Sequence, residues 1–139
     1  MSVLRTIALV IPLALAFFSL GALAKDLEGW HPSAVEAARL PTFCWRQFFG
    51  DKYRGPQFEF PRKLCGAGTN HYCPALVLLN RANQLSYSSA RRRFFLLAAK
   101  KKTLYTLRWI KKYPRCPLHG EAEKTLQVIE IRLRALGLR

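Results

Sequence analysis

Acidic residues are scarce in this 139-residue chain, which has 8 Asp and Glu against 23 Lys and Arg. The only aspartates are Asp26 and Asp51, and three of the six glutamates lie in the last 20 residues. Glycoside hydrolysis usually requires two carboxyl groups that face one cleft. Glu36 and Glu59 are the one pair to consider, and no motif supports them, so the composition disfavours an exported muramidase.

Motifs for cofactor binding and nucleophilic catalysis are also missing. The Gly66-Ala-Gly-Thr69 run lacks the Gly-Lys-Ser/Thr ending of a phosphate loop. Cys116-Pro-Leu-His119 supplies only half of the Cys-x-x-Cys-His sequence that attaches haem. A 34-residue repeat of tetratricopeptide type is absent as well. We therefore predict no cofactor, and the sequence does not support an enzyme.

The N-terminus has the three parts of a secretory signal peptide. Arg5 gives a basic start, residues 7–20 are almost entirely apolar, and Ala22-Leu23-Ala24 supplies small residues at a cleavage site. The apolar run is short for a membrane span. We predict a signal peptide at 1–24 and a single helical domain at 25–139, in the periplasm or secreted, with no transmembrane span after cleavage.

The predicted mature chain is strongly basic. Removal of residues 1–24 takes away one basic residue and no acidic residue, so the formal charge falls only from +15 to +14. A net charge of this size affects solubility, association rates and affinity for polyanions, but not the fold. Candidate partners are therefore an anionic envelope component (lipopolysaccharide or acidic lipid), an acidic protein, or nucleic acid.

Helical periodicity dominates the second half of the chain. Residues 73–85, 89–112 and 122–136 each repeat apolar side chains at intervals of three and four. The links between these segments are short, which favours antiparallel neighbours. No useful strand-like alternation occurs. The pattern predicts an all-α fold whose small three-helix antiparallel core spans residues 71–139.

The first part of the domain, residues 25–70, is less regular. Residues 30–40 and 42–49 predict two short helices, the second rich in aromatic residues around Cys44. Residues 51–70 contain repeated Gly and Pro, which predict a long loop. Twenty residues without an element is long for a compact domain, so we expect a disulfide to hold this loop.

All four cysteines follow the predicted cleavage site. An even number in an exported chain predicts two disulfides, and three pairings are conceivable. An up-down-up core places Cys73, which starts one helix, at the same end as Cys116, which follows the next. We therefore favour the pairs Cys73–Cys116 and Cys44–Cys65, which would make the fold disulfide-stapled.

A metal site is the alternative for the same end of the core. His71 and Cys73 lie there together with Cys116 and His119, and two Cys with two His are typical zinc ligands. The one-residue gap between His71 and Cys73 is shorter than usual for such sites. An oxidising compartment also favours disulfides over thiolates, so the metal site remains the weaker hypothesis.

The segment 89–112 has two unlike faces on a helical wheel. One arc should be core, and its members are Phe95, Leu96, Ala99, Thr103, Thr106, Leu107 and Ile110, with Arg92 at its edge. The remaining surface is cationic, with aromatic and apolar residues among the charges. Its predicted binding residues are Arg91, Arg93, Lys100, Lys101, Lys102, Arg108, Lys111 and Lys112.

Two functional hypotheses follow from these patterns. The first is an exported, non-catalytic binding or accessory module whose basic helix docks an anionic surface or an acidic partner. The second is a disulfide-held structural or interaction protein whose charge is incidental and whose partner contacts the aromatic segment around Trp45. We favour the first, although the Lys and Arg stems could also simply cover a helix that is buried on two sides.

Overall fold

A computed structural model describes residues 31–138, so the predicted signal peptide at 1–24 lies outside the described residues. This part of the chain contains six α-helices and no strand, which confirms the all-α prediction. The helices are α1 (Ala34–Ala37), α2 (Phe43–Phe49), α3 (Arg62–Cys65), α4 (Tyr72–Ala82), α5 (Ser89–Ile110) and α6 (His119–Ala135).

Helices α4, α5 and α6 form the core, with α5 packed between the other two. Arg92, in the first turn of α5, donates from Nε to the carbonyl of Ala82 at the end of α4, at 3.0 Å. Arg93 donates to the carbonyl of Leu136, just after α6, at 3.1 Å. The start of α5 therefore lies beside the ends of both neighbours, and the three helices are antiparallel as predicted.

The apolar core follows the predicted seams. Its central cluster joins all three helices and consists of Leu78, Leu79, Ala82, Phe95, Leu96, Ala99, Ile129 and Leu133. A second cluster lies at the opposite end of α5, where Tyr72 and Ile110 meet the loop before α6. Burial of these side chains supplies the main free energy of folding.

The N-terminal helix α1 is short, and a capping box defines its start. The backbone N–H of Glu36 donates to Ser33 Oγ at 3.2 Å, and the N–H of Ser33 donates to Glu36 Oε2 at 2.9 Å. The same carboxylate accepts from Arg81 of α4 at 2.7 Å. This hydrogen bond lowers the pKa of Glu36. Glu36 therefore lacks the raised pKa that a general acid requires.

The predicted long loop is not without structure. Short 3-10 turns at Gly50–Lys52, Pro56–Phe58 and Ala67–His71 flank helix α3, so helical turns occupy much of residues 51–70. Gly and Pro prevent a longer helix there, but they permit single turns. The segment is thus irregular, as predicted, but it contains short helical turns that the sequence did not indicate, and its one α-helix has four residues.

The disulfide pairing differs from the prediction. Cys44 pairs with Cys73, and Cys65 pairs with Cys116, so the favoured pairs Cys73–Cys116 and Cys44–Cys65 were wrong. Cys73 and Cys116 do both lie at the end of the core that Tyr72 and Ile110 mark. However, helix α2 packs on Cys73 through Cys44, and helix α3 packs on Cys116 through Cys65. Cys73 and Cys116 therefore each pair with a cysteine of the N-terminal part.

Both disulfides thus fasten the irregular N-terminal segment to the helical core. They close loops with sequence separations of 29 and 51 residues. The two disulfides indicate that the protein resides in an oxidising, extracellular compartment. Within the described residues, no helix is long and apolar enough to cross a membrane.

Peptide mapping of the non-reduced protein should recover Cys44–Cys73 and Cys65–Cys116. Trypsin alone cannot separate the pairings, since no Lys or Arg lies between Cys65 and Cys73. Additional cleavage after Tyr72 by chymotrypsin separates these two cysteines, and mass spectrometry then identifies the linked peptides. A linked peptide that contains Cys73 and Cys116 would contradict the structure.

Candidate functional site

Helix α5 begins at a defined cap and carries no acidic residue over its 22 positions. The N–H of Arg91 donates to Ser88 Oγ at 3.3 Å, which satisfies one backbone donor of the first turn. The predicted core arc is confirmed, because Phe95, Leu96, Ala99, Thr103, Thr106 and Ile110 are buried and Leu107 is half-buried. Thr103 Oγ1 donates to the Ala99 carbonyl at 2.9 Å, so its hydroxyl is satisfied within the helix.

The opposite face of α5 is exposed and mixes cations with apolar side chains. Its exposed cations are Arg93, Lys101, Arg108, Lys111 and Lys112, and its exposed apolar residues are Phe94, Leu97, Leu104 and Tyr105. We call these nine residues the α5 surface. Leu97 is 49% exposed and Leu104 is 41% exposed. A single exposed leucine is ordinary, but an exposed group of large apolar side chains on one helix face is informative.

Positions 97, 101, 104, 108 and 111 follow one another along this face at intervals of four and three. These intervals bring side chains onto one side of a helix. Lys101, Arg108 and Lys111 form no ion pair with any described acidic residue. Leucine side chains therefore alternate with unpaired cations along one line of the surface.

Three of the eight predicted binding residues contact other side chains of the protein. Lys100 forms an ion pair with Glu130 of α6 at 2.9 Å. Lys102 Nζ lies 3.5 Å from His71 Nδ1, and the Arg91 guanidinium lies 4.6 Å from the centre of the Tyr87 ring. These contacts stabilise the fold and make the three residues less available to a ligand, which sequence periodicity alone did not reveal.

His71 lies at one edge of the α5 surface. Its ring centre is 4.3 Å from that of Tyr105, and its Nδ1 faces Lys102. Burial, and secondarily the charge of Lys102, lower the pKa of His71. Burial, and secondarily the charge of Lys101, also lower the pKa of Lys102. A neutral His71 can accept a hydrogen bond from Lys102, which holds this lysine against the core.

Trp109 connects the α5 surface to the turn Ala67–His71. Its ring stacks on Tyr105 with centres 6.4 Å apart, and Lys112 lies 5.2 Å above it. On its other side, Trp109 packs directly on the backbone of Gly68, where a Cβ atom would overlap the indole ring. The absence of a side chain at Gly68 thus allows the turn to approach α5 closely.

The alternative metal site was wrong. Both of its cysteines are in disulfides and have no thiolate to offer a metal ion. His119 Nε2 lies 3.1 Å from the Tyr113 carbonyl, whereas His71 contacts Lys102 and Tyr105. Among the described residues, no group of three or more potential ligands could hold a metal ion.

The aromatic segment around Trp45 packs internally. The Trp45 ring meets Tyr53 edge to face at 5.3 Å, and its Nε1 donates to the Leu40 carbonyl at 3.3 Å. Trp45 is half-buried against the cluster that contains Cys44 and Cys73. Loss of its ring would therefore disturb the fold as well as any partner contact, so Trp45→Ala alone cannot test the second functional hypothesis.

Comparison with known proteins gives no independent indication of function. The chain matches no family model, no curated protein and no solved structure. The class of protein that the fold and the α5 surface define is a disulfide-linked, basic helical protein.

We expect the pKa of His71 to lie below its ordinary value of about 6.5 and to rise when Lys102 is replaced by methionine. The folded state binds this proton less readily than the unfolded chain. The free energy of unfolding should therefore decrease as the pH falls through about 6.5, and His71→Gln should reduce that decrease. NMR titration of the His71 ring protons measures this pKa. A pKa at or above about 6.5 would contradict the contact between His71 and Lys102.

Gly68→Ala should lower the free energy of unfolding by about 1–3 kcal/mol, because its methyl group overlaps the Trp109 ring. The matched control is Gly120→Ala in the first turn of α6, where an added Cβ meets no atom within 4 Å. That change should be neutral or stabilising by up to about 1 kcal/mol. Chemical denaturation measures both variants, and equal effects would show that Trp109 does not restrict position 68.

Proposed function

We propose that this protein is an exported, non-catalytic binding module that docks an anionic lipid surface through the α5 surface. One observation carries the proposal, namely an exposed helical face where unpaired cations alternate with exposed leucine and aromatic side chains and no acidic residue occurs. Export is supported by the predicted signal peptide at 1–24 and by the two disulfides.

Electrostatic attraction would bring the surface to its target. Each Lys or Arg near an anionic membrane contributes about 1 kcal/mol, and the attraction decays over a Debye length. Lys101, Arg108 and Lys111 are the residues that we expect to contribute most, since they lie on the outward line of α5 and are exposed. Arg93 contributes less, because part of its guanidinium is engaged by Leu136.

The apolar members of the surface favour lipid over a purely ionic partner. Leu97 and Leu104 lie between the cations, so they would enter the boundary between head groups and acyl chains once the charges are in contact. Tyr105 is also suited to this boundary, because its ring is apolar and its hydroxyl polar. Acidic phospholipid and the phosphorylated head group of lipopolysaccharide present the same chemistry to these residues.

The double substitution Lys101→Glu and Arg108→Glu should weaken binding to vesicles of phosphatidylglycerol and phosphatidylcholine by about tenfold or more. The reversal replaces attraction by repulsion at two central positions of the surface. These positions test the surface better than Lys100 or Lys102, because those two lysines already contact Glu130 and His71. Sedimentation with vesicles, at low and at physiological salt, measures the affinity.

The matched control is Arg39→Glu with Lys124→Glu, two exposed positions outside the α5 surface that change the net charge equally. This variant should keep most of the binding, and pure phosphatidylcholine vesicles should bind neither protein. Equal losses in both variants would show that only net charge matters. Retained binding in the Lys101 and Arg108 variant would refute docking through α5.

A further inference from the structure

A cleft of about 860 Å³ lies in the N-terminal half of the domain and shares no lining residue with the α5 surface. Helix α2 and the segment that runs from Pro56 to Leu64 form its two sides, and Asn70 lies at one end. Ligand sites of proteins commonly have volumes of about 300–1,000 Å³ and mostly apolar walls with a few placed polar groups. The volume of this cleft falls in that range.

The walls of the cleft are held in place by contacts that do not depend on a ligand. Thr42 Oγ1 donates to the Gln57 carbonyl at 2.7 Å, and Gln47 Nε2 donates to the Asn70 carbonyl at 2.6 Å. These two hydrogen bonds connect helix α2 to both flanking segments. The disulfides of Cys44 and Cys65 fix the two sides to the core. The cleft is therefore preformed, which reduces the entropic cost of binding.

The interior of the cleft is apolar and aromatic. Phe43 and Phe60 pack edge to face with ring centres 5.2 Å apart, and Phe58 lines the same cleft. Leu64 adds an aliphatic wall and is 49% exposed, although it lies on a four-residue helix beside a buried disulfide. If an acyl chain packed against these side chains, apolar surface of both the ligand and the protein would be removed from water.

Cations dominate the polar part of the lining. Arg62 and Lys63 lie on helix α3, are exposed, and form no ion pair with any described acidic residue. Arg46 lies across the cleft, 3.6 Å from Asp51, and Glu59 is the one acidic residue in the lining. The cleft therefore carries an excess of positive charge next to an apolar wall.

We propose that this cleft binds a single-chain anionic amphiphile, with its hydrocarbon chain against the phenylalanines and Leu64 and its phosphate or carboxylate head group on Arg62 and Lys63. Guanidinium and ammonium groups form charge-assisted hydrogen bonds with such head groups. The site is separate from the α5 surface. It would bind one lipid molecule, whereas α5 would contact the surface of an assembled layer.

Isothermal titration with octyl phosphate, kept below the concentration at which it forms micelles, tests this site. Inorganic phosphate has the head group alone, and octyl glucoside has the same chain with a neutral head group. We expect octyl phosphate to bind at least about tenfold more tightly than either, because the chain and the charge both contribute. Amide shifts in the NMR spectrum should be largest for residues 56–64.

Two variants locate the head group and the chain. Arg62→Glu with Lys63→Glu should weaken octyl phosphate binding by about tenfold or more, and the neutral pair Arg62→Gln with Lys63→Gln should weaken it less. Leu64→Ser should weaken octyl phosphate binding several-fold and leave any weak phosphate binding unchanged. The control pair Arg39→Glu and Lys124→Glu, which lines no part of this cleft, should bind normally.

Three results would overturn the proposal. Equal affinity for inorganic phosphate would mean a simple anion site, and equal affinity for octyl glucoside would mean an apolar groove without charge selection. An unchanged affinity in the Arg62→Glu, Lys63→Glu variant would place the head group elsewhere. The Lys101→Glu, Arg108→Glu variant should bind octyl phosphate normally, so failure here and failure of docking through α5 can be told apart.

Discussion

The structure depends on two covalent links that join an irregular segment to a regular core. Cys44–Cys73 and Cys65–Cys116 each connect residues 31–70 to the three-helix bundle, and neither lies within one part alone. The helices of the irregular segment have at most seven residues, and helices this short are not stable by themselves in water. Closing either loop alone contributes on the order of 4 kcal/mol in the chain-entropy model. These links hold the turn Ala67–His71 near α5 and the segment 56–64 near α2, so the walls of the cleft depend on them.

The scarcity of acidic residues determines where the positive charge remains unpaired. The described carboxylates that form ion pairs are used at structural positions: Glu36 binds Arg81, Asp51 lies beside Arg46 and Arg54, and Glu130 binds Lys100. Each pair lies between neighbouring segments or within a turn. Few acidic residues are left to neutralise the outward face of α5 or the rim of the cleft. The excess of unpaired positive charge is therefore a consequence of composition, and the fold decides which cations remain exposed.

The two candidate sites differ in shape. The α5 surface is the convex side of a helix and encloses no volume. The cleft between α2 and α3 is concave, and its lining combines apolar and cationic side chains. The turn Ala67–His71 contacts both sites: Asn70 lines the cleft, and the next residue, His71, contacts Tyr105. One short segment, fixed by Trp109 and by a disulfide, thus borders both surfaces.

The sequence by itself determined the three core helices and their buried faces. Periodicity identified the three core helices and the buried arc of α5, because burial on a helix repeats with its own geometry and needs no knowledge of the partner. Ser33 and Glu36 likewise form a capping box over three residues. Only the tertiary structure decided the disulfide pairs, the engagement of Lys100 by Glu130 and of Lys102 by His71, and the cleft beside α3. These features join residues about 20 to 50 positions apart, and the order of residues along a helix carries no record of which distant segment packs against it.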